Sequence, residues 1–111
     1  MIVKLFIQQL RAEVLEQNLR LYDEILKVPL STVTDPQWRR IRSAYDRLDP
    51  EQRDAVRVFV RQAVSGTLSN LLGILDGSSL LSGFREYFSL QYGFRKEKLN
   101  GSLQDEFLSG E

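Results

Sequence analysis

The sequence predicts a mostly α protein: a small helical bundle of two long antiparallel helices and one short helix, finished by a C-terminal β-hairpin or turn-rich lid. Three observations predict it. Apolar residues recur at three- and four-residue spacing through residues 2–28 and again through 50–76, the pattern of helices with a buried face. Asp35-Pro36 and Asp49-Pro50 each set a capping carboxylate before a proline, which suits the first helical position because the N–H it lacks is unpaired there anyway. After Gly77 that periodicity gives way to glycine, serine and aromatic residues. With 111 residues the chain reads as one domain, 1–111, long enough for a single core.

The first helix is expected over residues 2–28. Ile7, Leu10, Val14, Leu21, Ile25 and Val28 share a line, widened by Leu15, Leu19, Tyr22 and Leu26. Glu16 precedes Arg20, and Asp23 precedes Lys27, by four residues, the stabilising order for helical ion pairs. The apolar spacing lapses at Gln17 and Asn18, so no sustained coiled coil is expected. Pro29 ends the helix, and residues 30–34 form a connector. The second helix, 36–48, sets Trp38, Ile41, Tyr45 and Leu48 on one face and arginines on the others.

The third helix, 50–76, opens with Asp49 and Gln52 as a capping box and closes at Gly77. Arg53, Arg57 and Arg61 lie on one line that continues through Val64, Leu68, Leu71 and Leu75, so it turns from cationic to apolar. Val56, Phe59, Val60 and Ala63 are expected to face the core. Gly66, Ser69, Asn70 and Gly73 form a stripe of small residues. A glycine inside a helix costs about 1 kcal/mol against alanine, so a close helix approach is expected there, against the first helix or a second copy of the chain.

Residues 78–109 are read as the lid. Residues 84–92 alternate as a strand does, with 94–99 as its partner across a turn at Tyr92-Gly93; a helix through Leu80, Leu81, Phe84, Tyr87 and Phe88 also fits. Asn100-Gly101 is a turn, Ser102 caps a last short helix through Leu103, Phe107 and Leu108, and Ser109-Gly110-Glu111 is a frayed end.

Composition removes whole classes of chemistry. There is no cysteine and no histidine, so a disulfide, a thiol nucleophile, a zinc–thiolate site and a serine–histidine–aspartate triad are all excluded. No metal or cofactor is expected, and an enzyme resting on carboxylates is the least favoured class. Lysine plus arginine balances aspartate plus glutamate at 15 each, so no global field draws the chain to nucleic acid or to an anionic membrane. The apolar run at residues 2–7 is too short to span a bilayer, and with no cysteine the cytosol is the expected location.

Two surfaces remain as candidates. The preferred expectation is a non-catalytic protein-interaction module, a small regulatory or inhibitory adaptor. It would meet another protein, or self-associate as a homodimer, through the Gly66–Gly73 face together with Arg53, Arg57 and Arg61. The alternative is nucleic-acid binding by the Arg39–Arg61 face and the C-terminal aromatics. Residues 39–61 hold seven arginines against four acids, and aromatics flanked by cations suit base stacking. Against that alternative, Asp49 is placed to pair with Arg53 and Asp54 with Arg57, and the C-terminal aromatics are expected to cover the core.

Overall fold

The computed structural model describes residues 2–110; Met1 and Glu111, at the ends of the predicted domain, lie outside the described residues. A long N-terminal helix is built of α1 (Ile2–Leu10), a π-helical segment (Arg11–Glu16) and α2 (Gln17–Lys27). A single 3-10 turn (Leu30–Thr32) leads to α3 (Pro36–Asp46), α4 (Pro50–Asp76), the short strands β1 (Gln91–Tyr92) and β2 (Glu97–Lys98), and α5 (Leu103–Ser109). The fold is therefore mostly α with a small C-terminal hairpin, antiparallel, with Gln91 opposite Lys98 and Tyr92 opposite Glu97. The two long helices run antiparallel, since Glu16 meets Arg61, Asp23 meets Arg57, and Ile7 and Leu15 pack with Leu72.

The π segment explains the lapse in spacing near Gln17. Two α-turns advance about 7.2 residues, whereas the inward positions Ile7 and Leu15 are eight apart. A wider π turn absorbs the extra residue. Downstream, the inward line passes to Leu15, Leu19, Tyr22 and Leu26. Val14, Leu21 and Val28, expected on the core line, are exposed instead.

The core sits at one end of the molecule. Ile7, Leu15, Leu72, Leu103 and Phe107 are buried together, with Val3, Phe6, Leu10, Leu19, Val64, Leu68, Leu75 and Leu90 around them. Helix α5 closes this end: its backbone approaches both α1 and α4. The aromatics expected to form the lid do not cover the core. Phe84, Tyr87, Tyr92 and Phe94 are exposed, and residues 84–90 form no strand. The hairpin is confined to two residues a side, and its turn spans Gly93–Lys96 with positive φ at both ends.

Polar groups fasten α4 at both of its ends, and α5 against it. The capping box predicted at Asp49 is present, with Gln52 N donating to Asp49 Oδ1 at 2.8 Å and Asp49 N to Gln52 Oε1 at 3.0 Å. Gly77 takes the left-handed conformation (φ 83°) that ends α4. Ser102, expected to cap α5, makes no side-chain cap. Asp76 takes that role from the end of α4, accepting from Gly101 N, Leu103 N and Gln104 N at 2.6, 3.0 and 2.8 Å. Asn100 is buried and fully bonded: its amide donates to Leu75 O and Phe88 O, and its oxygen accepts from Leu90 N. At the far end of α5, Arg11 stacks on the Phe107 ring at 4.2 Å and donates to the Phe107 carbonyl, as cations at helix C-termini do. Ser109, expected to fray, belongs to α5.

The opposite end is open. Among the described residues, α2 buries no side chain completely, and α3 buries Arg42 and Tyr45. The molecule measures 50 × 30 × 26 Å, with a radius of gyration of 17.9 Å; a compact chain of this length would give about 13 Å. By length and composition alone α4 could cross a membrane, at a mean hydropathy of 1.2; only 28% of that window is buried, and its Arg61 is paired with Glu16.

Candidate interaction site

The open end holds a groove bordered by two cavities in place of a closed core. Tyr22 and Leu26 of α2, Trp38, Ile41, Ala44 and Tyr45 of α3, Leu48 just beyond it, and Val56 and Val60 of α4 line a cavity of about 630 Å³. A second cavity of about 380 Å³ shares Tyr22, Leu26 and Val60, and adds Glu16, Asp23, Arg57 and Arg61. The residues that bridge α2 and α4 thus border open space in both. The Tyr22 and Trp38 rings lie 5.9 Å apart and tilted by 32°, which ties α3 to α2 at one wall.

Helix α3 is held by polar contacts as well as by the Tyr22–Trp38 contact and the buried Tyr45. Asp35 Oδ2 accepts from Trp38 N at 3.0 Å and starts the helix. Arg42 is buried, donates to the Ile25 and Val28 carbonyls at the end of α2, and pairs with Asp46 at 2.9 Å. Arg39 donates to Leu30 O and Val33 O across the connector. The Tyr45 hydroxyl is enclosed without a hydrogen-bond partner among the described residues, a cost of about 1–3 kcal/mol. Guanidinium groups of Arg53 and Arg57 lie 5.5 and 6.0 Å from the Tyr45 ring.

The predicted site residues divide between the two ends. Arg53 donates to Tyr45 O and Asp46 O, tying α4 to the end of α3, and does not pair with Asp49, whose carboxylate caps α4. Arg57 pairs with Asp23 at 3.0 Å rather than with Asp54, and Arg61 pairs with Glu16 at 2.6 Å. The Arg61 hydrogen bond holds the Glu16 carboxyl below its usual range. Asp23 is lowered likewise, first by Lys27 and then by Arg57.

The small-residue stripe is split by the helical turn. Ser65, Ser69 and Gly73 are buried, and the neighbour at Ser69 and Gly73 is Gln104 of α5. Gln104 Nε2 donates to Ser69 O and Oγ at 3.1 and 3.2 Å, and a Cβ on Gly73 would lie 2.9 Å from Gln104 Oε1. Gly66 and Asn70 face solvent on the other side, and a Cβ on Gly66 would meet nothing within 4 Å. Between the two glycines of the stripe, the close approach is therefore at Gly73. Phe59 and Ala63, expected in the core, are exposed, Phe59 at 71%.

Sequence reasoning located the groove residues as helical faces but assigned them to a core. Amphipathic spacing reports which residues avoid water, not whether the chain supplies enough partners to cover them. Among the described residues, no three acidic side chains come together as a metal site. No protein-family model matches the chain, and searches of curated proteins and of solved structures find no match.

Proposed function

We propose that the protein is a non-catalytic interaction module, of the small regulatory or inhibitory-adaptor kind, that docks through the groove between α2, α3 and the first half of α4. One observation carries this reading: an amphipathic half of the molecule whose apolar faces converge without closing on one another. Apolar surface left open in this way gains free energy when a partner covers it. Arg53, Arg57 and Arg61 are engaged within the chain, which weighs against the alternative of a phosphate-binding face. A cytosolic setting belongs to the proposal, motivated by the cysteine-free sequence.

Affinity capture of the tagged full chain from its own cells tests the reading, with an Ile41→Lys variant run in parallel. Ile41 is 49% exposed at the groove lip, so a lysine there leaves the fold intact and charges the docking face. The expected result is one stoichiometric protein, an untagged copy of the chain included, that survives a high-salt wash on the wild type and is missing from the variant. Nucleic acid held at low salt and lost at high salt would overturn the reading, since phosphate contacts release counterions.

A further inference from the structure

We infer that the occupant of the groove is a second copy of this chain, docked about a twofold axis so that two open half-cores close into one. The inference rests on the groove reading above and adds the identity of the partner. Surface area is its first support. The chain exposes 8467 Å², whereas a compact monomer of its mass exposes about 6,300 Å². That excess of about 2,200 Å² per chain belongs to the molecule as a whole, with Leu80, Tyr87 and Phe94 outside the groove contributing to it; a pair that covers about half of it on each chain reaches the lower bound, roughly 2,000 Å² in total, of obligate homodimer interfaces. Such interfaces resemble a domain core cut in half, which describes a wall of Tyr22, Leu26, Trp38, Ile41, Val56 and Val60.

Charge is the second support. The flanking cations and acids are already matched, Arg57 with Asp23 and Arg61 with Glu16, so no field of one sign selects an oppositely charged partner. The chain as a whole carries no net charge, and two copies approach without repulsion. In a twofold contact each surface serves as both knob and socket. Helix α3 supplies both: Ile41 and Ala44 are exposed on it, yet line the groove.

The test uses the full chain, with mass by light scattering and emission from Trp38, the single tryptophan, which sits in the groove. The expected mass is twice 12.9 kDa, with Trp38 emission moving to the red as dilution separates the copies. Ala44→Glu and Ile41→Lys both charge exposed positions and are expected to weaken the pair at least a hundredfold while far-UV helicity is retained. A single-chain mass at millimolar concentration overturns the second copy; the groove reading then still stands if Ile41→Lys abolishes capture of a different protein, and falls if it does not. A two-chain mass untouched by either substitution, with helicity intact, also overturns it by placing the contact elsewhere. Should either variant unfold, the dilution series on the wild type decides alone: Trp38 emission that stays constant while the mass halves sinks the inference.

Discussion

At one end of the molecule α5 fills the space between α1 and the second half of α4; at the other, α3 buries Tyr45 and Arg42 but leaves the groove between α2, α3 and α4 open. Both ends are built from amphipathic helices with sound caps. The difference lies in what reaches the interior. Leu103 and Phe107 are fully buried wedges, held in position by Asp76 at one end of α5 and Arg11 at the other. Helix α3 presents Ile41 and Ala44 outward and is fastened by arginines to backbone carbonyls. Backbone bonds can place a helix without burying its apolar face, and that leaves a stable scaffold with an unsatisfied surface.

The contrast makes its largest prediction in the two cores. Phe107→Ala should destabilise by about 3–5 kcal/mol, the usual cost of emptying a buried aromatic site. Val60→Ala in the groove should cost less than about 1 kcal/mol in dilute solution, because half-buried methyl groups lose little. Urea titrations of both variants check this, and equal losses would erase the distinction between the ends.

A smaller effect belongs to the polar clamp. Asn100→Ala should cost about 2–3 kcal/mol, since it strands the Leu75 and Phe88 carbonyls and the Leu90 amide. Hydrogen exchange should then show residues 88–100 opening before α3 does. Protection lost uniformly would mean the clamp is not local.

The glycines sharpen the comparison within one helix. Gly66→Ala, in open space, should stabilise by up to about 1 kcal/mol through helix propensity. Gly73→Leu should destabilise, because it displaces the Gln104 amide from Ser69. Thermal melts that move in the same direction for both would place the close approach elsewhere.

The smallest effect is electrostatic. The Arg61 hydrogen bond at Glu16, and Lys27 with Arg57 at Asp23, hold both carboxyls below the ordinary values of those groups. Their ion pairs therefore contribute fully above those values, and the contribution is lost as pH falls through the lower folded-state range. Both pairs are more than one-third exposed, so each should contribute only about 0.2–1 kcal/mol. Melts of Glu16→Gln and Asp23→Asn between pH 3 and about 6 should show a shallower acid dependence than wild type; identical slopes would remove the pairs from the stability of the open end.

Local chemistry made much of the helical skeleton legible. Proline after aspartate, the Asp49–Gln52 box and Gly77 act within a few residues, so neighbours in sequence suffice to read them. The engagement of the arginines was not legible, because Arg57 and Arg61 reach Asp23 and Glu16 on a helix far away in sequence. Nor was the site: Trp38, Ile41, Val56 and Val60 carry the same periodicity as core residues, and nothing local distinguishes a covered face from an uncovered one.

The sequence by itself determined where helices begin and end, that their faces are amphipathic, and that thiol and imidazole chemistry are excluded, because caps, periodicity and composition are properties of short segments. Only the tertiary structure decided which face became core. A π turn of six residues redirected the inward line from Val14 to Leu15, and a seven-residue helix from the far end of the chain, α5, took the Ser69–Gly73 face. Burial depends on which distant segment arrives to exclude water, and at the other end α3 encloses Tyr45 but leaves the groove wall open.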